Sequence, residues 1–429
     1  MDRLSQPVAV PLWAVVATVV GIAVLLVVLW SVKHRRDVHY VLPEPAPLAE
    51  MLPSIAGLTH GALVEGNKVE LLENGDGFFP RLFADLGAAE DTIHFEVFLW
   101  EEGELARRTA RALAERAEAG VEVRLLVDAS GGRGLSGQTL RTIQEAGVEV
   151  ARYHPLGLKS LGNLNNRDHR KIVVVDGRLG YVGGHCIVDT WLGDAEDREH
   201  FRDVSARVEG PVVQQLQSAF TENWVEQTGE VVAGPRYFPE LEAVGESRAH
   251  LAYVSPSGSP SSVELLYYLA IRAAREQILI QNPYFLPDPD GLELLRQAAA
   301  RGVTVRIMLP SAEATDSALV QHASHHHFGN LLKAGIEIYE YDRTLLHQKV
   351  MTVDHLWSAV GSTNFDDRSF ELNDEASLGI ESAEIARALE EAFAADLRHC
   401  RRRTLDEWRG RPLWHKLIDG TAYLINEQL

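Results

Sequence analysis

Two histidines in this chain each stand two residues before a lysine, and each pair opens the same spaced pattern. The stretch Leu346–Asn364 reads LHQKVMTVDHLWSAVGSTN and holds His347, Lys349, Asp354, Gly361-Ser362 and Asn364. Upstream, DHRKIVVVDGRLGYVGG holds His169, Lys171, Asp176 and Gly183-Gly184. In a strand, residues two apart share a face, so each imidazole would sit beside a fixed cation. Asp176 and Asp354 come seven positions after their histidines and fall on the other face by parity; they are counted in the catalytic set with the histidines and lysines, bracing the site from outside. The small pairs would let a substrate approach the backbone closely, and Asn364 adds an amide donor.

Two imidazoles, two ammonium groups and an amide suit transfer at a phosphodiester. Its transition state needs fixed donors on the equatorial oxygens. One histidine can attack phosphorus and hold a covalent intermediate while the other protonates the departing alkoxide. The lysines supply the positive charge, so this chemistry asks for neither a metal nor a cofactor.

Such a site needs a frame, and the chain writes one twice. Ile93–Trp100, IHFEVFLW, is answered by Ile278–Phe285, ILIQNPYF, and both read as buried strands. Each is followed by a helical stretch, a glycine and a strand, at Gly120–Val127 and at Gly302–Leu309. Ala146-Gly-Val-Glu-Val and Ala334-Gly-Ile-Glu-Ile repeat the device before each H-x-K segment. Strands alternating with helices predict an α/β fold of two repeats packed as a pseudo-two-fold pair, each a mostly parallel sheet flanked by helices. Residues 55–228 and 249–429 would form the two domains, joined by 229–248, where Gly229, Gly234, Pro235 and Pro239 interrupt the pattern.

At 429 residues each domain can bury its own core. A formal charge of −20 argues against a nucleic-acid partner. Cys186 and Cys400 offer no disulfide framework or metal spacing. Val8–Val32 carries no charge over 25 positions, enough for one N-terminal transmembrane helix, with Trp13 and Trp30 near its ends. Lys33, Arg35 and Arg36 follow it, which places the catalytic part on the cytoplasmic side. Residues 1–37 would be the anchor and 38–54, rich in proline, a stiff linker.

The doubled signature resembles the phospholipase D superfamily. GSTNFDDRSFELNDE, at Gly361–Glu375, is similar to the GSxNxDxRSFxLNxE run of bacterial cardiolipin synthases. Gln281–Pro287, QNPYFLP, and Gly210–Trp224 add to the likeness, which extends from Ile55 to about Pro412. The resemblance implies His169 and His347 as the catalytic pair, with His169 taken as nucleophile and His347 as general acid. It implies that Lys171, Lys349 and Asn364 bind phosphate, with Gly184 and Ser362 lining the pocket. Asp203 and Glu375 would accept hydrogen bonds from the far nitrogens of the histidines. The expected reaction joins two phosphatidylglycerols into cardiolipin and glycerol at a bacterial inner membrane, with phosphatidylethanolamine as another possible donor. Hydrolysis to phosphatidic acid by the same residues is the rival; a nuclease fits the charge poorly, and a scaffold would not need both pairs. One departure stands out: the first copy has Cys186 where the second has Asn364, read as a small thiol packed under the site.

Other signals are weaker. His322, His325, His326 and His327 share a probable helix, but a closed metal site needs another ligand and supporting carboxylates. Glu96 and Gln281 end matching strands. Gly131–Gly134 reads as a flexible loop near the entrance, and Trp408–Leu429 as amphipathic.

Overall fold

Runs that are apolar at every position can be buried on both faces only inside a covered sheet. The chain, seen in a computed structural model, is described over residues 11–33, 40–42, 44, 46–155, 166–254 and 261–423. It divides into a unit Met1–Val41 and a unit Leu42–Leu429.

The first unit holds a helix at Leu12–Lys33. Its side chains are described as far as Ile22, and among the described residues no helix is long and apolar enough to cross a membrane.

In the second unit the first repeat supplies β1 (Val64–Glu73), β2 (Thr92–Val97), β3 (Glu122–Asp128), β4 (Glu149–Tyr153), β5 (Ile172–Val175), β6 (Leu179–Gly183) and β7 (Val204–Glu209). The second supplies β8 (Ser247–Val254), β9 (Gln277–Gln281), a short β10 (Phe285–Leu286), β11 (Thr304–Pro310), β12 (Glu337–Tyr341), β13 (Lys349–Val353), β14 (Trp357–Gly361), β15 (Phe365–Asp366), β16 (Glu375–Glu381) and β17 (Cys400–Arg403). One 15-stranded sheet runs β17-β12-β11-β9-β13-β14-β16-β8-β1-β7-β6-β5-β2-β3-β4. The order reads nearly the same from either end, so β8 and β1 meet at a local two-fold.

Within the large sheet, among the described residues, only β2-β3-β4 and β9-β11-β12 pair in parallel and the remaining ladders are antiparallel; β10 and β15 form a separate short parallel pair. The expectation of a mostly parallel sheet is therefore corrected. The cause is local: after the crossovers, each H-x-K segment runs into a hairpin. Asp176 and Gly177 take φ of 53° and 63°, and Asp354 and His355 take 54° and 57°, the pair of positive φ values found at the centre of a type I′ turn, here inside three-residue connections closed by Arg178 N–H to Val175 O and Leu356 N–H to Val353 O.

The repeats also share a core. Ile172, Val174 and Val182 of the first pack in one cluster with Val350, Val360 and Leu378 of the second. The helices Val213–Thr228 and Ala383–Asp396 add Leu216 and Leu389 to it from equivalent places. The stiff linker ends sooner than expected. A helix forms over Leu48–Leu58 despite Pro53, because Leu48, Leu52, Ile55 and Ala56 fall at helical spacing and are buried. Gly131–Gly134 is a short 3₁₀ turn rather than an open loop. Asp128 Oδ1 accepts the amides of Ser130 and Gly131, and Cβ atoms at Gly132 and Gly134 would strike Val127 and Trp100.

Candidate active site

Each histidine is delivered just ahead of a buried strand, β5 or β13, and is fixed by backbone bonds to the opposite repeat. The amide of His169 donates to Asp374 O at 2.9 Å, and that of His347 donates to Arg202 O at 2.8 Å. The chain therefore presents the next residue of each partner strand, Glu375 or Asp203, to the imidazole. His169 Nδ1 lies 2.8 Å from Glu375 Oε1, and His347 Nδ1 lies 2.7 Å from Asp203 Oδ2. Both sequence-predicted orienting acids are thus in place, and they are crossed: each repeat orients the histidine of the other.

With Nδ1 committed to a carboxylate, Nε2 is the nitrogen of each ring that the acid leaves free. Lys349 Nζ sits 2.9 Å from His347 Nε2 and 2.5 Å from His347 O; Lys171 Nζ donates to His169 O at 2.6 Å. Burial and the lysines hold both imidazoles neutral: His347 is pushed down to about 4, and His169 well below the usual histidine range. Burial and the neighbouring Lys171 push Lys349 down to about 7.

The two carboxylates differ. Asp203 accepts from His347, from Trp191 Nε1 at 2.8 Å and from the amide of Val204 at 2.8 Å. Burial raises it, but His347, through charge and its hydrogen bond, together with His185 and Lys349, outweighs that and holds it well below the usual carboxylate range. Glu375 has the hydroxyl of Ser362 on its second oxygen, and burial pushes it up to about 7.

The small pairs serve the protein's interior. A Cβ at Gly184 would collide with the Asp203 carboxylate, and one at Gly361 with the backbone of Ala376. Ser362 is buried, donates to Glu375, and accepts the amide of Ala376 at 3.1 Å. Gly184 and Ser362, expected to line a phosphate pocket, are buried and pack on the two acids, Gly184 on Asp203 and Ser362 on Glu375. Asn364 is buried with its Oδ1 unpartnered among the described residues. Cys186 is wholly buried; burial pushes its thiol up against the pull of Lys171 and Lys349, so it stays protonated. His185 beside it stacks on Phe78 at 4.2 Å and bonds Ser205.

Asp176 and Asp354 are not brought to the imidazoles. Asp176 accepts the amides of Glu90, Asp91 and Thr92, and Asp354 those of Arg275, Glu276 and Gln277. They clamp the starts of β2 and β9, roughly 20 Å along the strand from their histidines. Their inclusion among the catalytic residues is corrected on that ground. Glu96 is held inside by Asn223 at 2.8 Å and Gln281 by Asp396 at 3.1 Å.

Three contacts escaped the sequence reading. The ring of Trp191 meets His347 edge-on at 4.9 Å, and that of Phe98 meets His169 at 5.0 Å. Arg368 lies close enough to help depress His169. Arg368 stands inside GSTNFDDRSF, so the motif itself carried that signal; the aromatics had none, because an aromatic beside a strand reads as core.

Among the four histidines of Ala318–Lys333, His322 Nδ1 meets Asp419 at 2.9 Å and His325 Nε2 meets Glu340 at 3.3 Å. Asp419 and Glu340 are already neutralised by Arg411 and Arg403, so the group closes as an ion-pair network.

The family described as cardiolipin synthase, PLD-like domain, matches residues 82–224 and 267–397. The chain is 34% identical over 370 residues to the major cardiolipin synthase ClsA of Bacillus subtilis, covering 86% of this chain and 76% of that one. It is 34% identical over 380 residues to a cardiolipin synthase of Staphylococcus aureus, covering 88% and 76%. In fold it is similar to phosphatidylserine synthase of Haemophilus influenzae, with a TM-score of 0.66 at 13% identity over 87% of this chain and 98% of that one.

Proposed function

The chain belongs to the cardiolipin synthase branch of the phospholipase D superfamily, and from that premise we propose how its residues carry the phosphatidyl transfer. His169 Nε2 attacks the phosphorus of one phosphatidylglycerol and the bond to the glycerol oxygen breaks. His347 gives that oxygen its proton, and glycerol leaves. The neutral His347 then takes the proton of a hydroxyl on a second phosphatidylglycerol. That oxygen attacks phosphorus, the phosphorus–nitrogen bond breaks, and cardiolipin leaves with both histidines restored. Lys171, Lys349 and Asn364 hold the equatorial oxygens.

The single observation that carries this reading is the crossed pair of carboxylate–imidazole contacts at 2.8 and 2.7 Å, which engages Nδ1 of each ring and supports the two Nε2 atoms acting together on one diester. The inequality of the acids supports the division of labour. An imidazolium is best held by a full anion, and Asp203 is one, so His347 is the ring that carries the proton. Glu375 is a weaker anion and suits a ring that must be neutral before it attacks. The bound diester anion offsets the lysine charge that depresses His347 and lets it take up its proton.

The uncharged run at Val8–Val32, with its helix at Leu12–Lys33, supports a single-pass anchor that keeps the enzyme beside bilayer substrates. The basic residues after it favour a cytoplasmic catalytic part.

The test is incubation of the detergent-solubilised full chain with phosphatidylglycerol and a chelator, with products identified by mass spectrometry. Cardiolipin plus glycerol is expected, and neither from His347→Ala. Phosphatidic acid without cardiolipin would make the protein a hydrolase. Loss of activity to the chelator would end the metal-free mechanism.

A further inference from the structure

The helix Leu413–Tyr423 is built inside out for water. Its inward side buries Asp419, which pairs with Arg411 at 2.5 Å and His322 at 2.9 Å, together with Ala422. Its outward side carries Trp414 at 58% exposure, Leu417 at 69% and Ile418 at 39%, with Thr421 exposed beside them. Positions 414, 417, 418 and 421 follow helical spacing, so the apolar groups form one stripe. The ion pairs fix the helix this way round: turning the stripe inward would take Asp419 from Arg411 and His322.

The sequence that leads into the helix is basic. Between Arg398 and Lys416 seven lysines and arginines stand against two acids, Asp406 and Glu407, in a chain whose formal charge is −20. Some are paired, as Arg402 is with Glu337 and Arg403 with Glu340. Arg398, Arg409 and Lys416 are exposed with no carboxylate partner among the described residues, their side chains turning instead to backbone carbonyls or to solvent. A stripe holding tryptophan, leucine and isoleucine beside such cations has the composition of a helix lying in the interface of an anionic bilayer.

We propose that the outward face of Leu413–Tyr423 seats on an anionic lipid surface, with Trp414, Leu417 and Ile418 in the acyl boundary and Arg409 and Lys416 at the headgroups. This contact is separate from the N-terminal apolar run. It rests on the charge complementarity and the stripe, and its readout is lipid contact rather than turnover, so it can fail while the transferase assignment holds.

The experiment uses the full chain with Cys400→Ser and Thr421→Cys, carrying a nitroxide at the introduced thiol, one copy per nanodisc. Cys186 is wholly buried and does not compete for label. A second sample carries the label at Glu118→Cys, exposed on another helix. In discs of phosphatidylglycerol the label at 421 is expected to be more accessible to oxygen than to a water-soluble nickel chelate, with the opposite order at 118. In phosphatidylcholine discs the 421 contrast should fall, and Arg409→Glu with Lys416→Glu should lower it in phosphatidylglycerol. Adding Trp414→Ser and Leu417→Ser should abolish it. Each charge is worth roughly a fivefold change in occupancy, and each large side chain roughly tenfold or more. A water-like label at 421 in both lipids overturns the proposal. So does shielding that appears only in discs loaded with two copies, with dipolar broadening, which would make the stripe an interface between chains.

Discussion

A carboxylate behind an imidazole fixes its tautomer and steadies the charge it acquires, and here the two carboxylates are of unequal strength. Asp203 is bound by three N–H donors and stays ionised; Glu375 is bound by a histidine and a serine hydroxyl and is pushed up to about 7. Asp203→Asn should therefore lower kcat by roughly 10³–10⁴, as loss of a full anion behind a proton-carrying ring does. Glu375→Gln should have the smaller effect, roughly 10–100-fold, because near neutral pH about half of that charge is already absent. Transfer rates on phosphatidylglycerol for the two variants decide the matter; equal losses would remove the basis for assigning His347 as the acid. The wild-type rate should also rise through about pH 7 as Glu375 ionises, and Glu375→Gln should flatten that limb. The types and spacing of these residues were legible in the sequence, down to the two orienting acids. The crossing was not, since nothing along one chain says which repeat an acid will face. Nor was the role of Ser362, because a small polar residue serves a phosphate or a buried carboxylate equally well.

At the scale of the element, the aspartate of each signature is a fastening. Strand parity put Asp176 and Asp354 on the far face, but parity says nothing of distance along the strand. Each sits at the hairpin turn with positive φ and accepts three backbone amides that would otherwise be left open at the start of β2 or β9. Asp354→Ala removes those acceptors and puts a methyl side chain at a φ of 54°, for a loss of about 2–4 kcal/mol. Asp354→Asn keeps one acceptor and tolerates the left-handed conformation, so it should lose less. Calorimetry should show Tm falling in that order, with kcat of the folded enzyme unchanged within about threefold. An Asp354→Ala enzyme with the wild-type Tm and no turnover would return the aspartate to the chemistry. Asp-Gly at Asp176 is itself a hairpin signal, so the antiparallel turn was written in the first copy. It was obscured in the second, where His355 stands in the glycine's place at a φ of 57°.

At the scale of the whole molecule, the palindromic sheet makes the repeats inseparable: each carries the other's orienting acid, and their apolar strands share one core. That burial encloses histidines as well as aliphatics. His94, His185, His250, His327 and His347 are all pushed down to about 4, chiefly by desolvation. A folded-state value below the unfolded 6.5 means that the unfolded chain binds the proton first. Stability from these rings is therefore whole above about 6.5 and is lost as pH falls toward 4, on the order of 3 kcal/mol for each fully buried ring. Buried acids act in the opposite direction. Glu96 and Glu375 are raised to about 7 and Asp367 to about 8, so their protonated forms favour the fold and that contribution drains away as pH rises through those values. The two trends meet in an optimum, and Tm measured from pH 4.5 to 8.5 should peak between about 6 and 7, fall on the acid side, and level off above 7, where Lys349, pushed down to about 7, offsets the remaining loss. His250 isolates the acid limb, because burial alone depresses it and both its ring nitrogens lack partners among the described residues. His250→Gln cannot take up a proton and should make the fall below pH 6 visibly shallower, whatever it does to Tm at the optimum. An unchanged acid limb in that variant, or a Tm flat from pH 5 to 8, would mean that the buried rings and acids do not govern how this fold responds to pH.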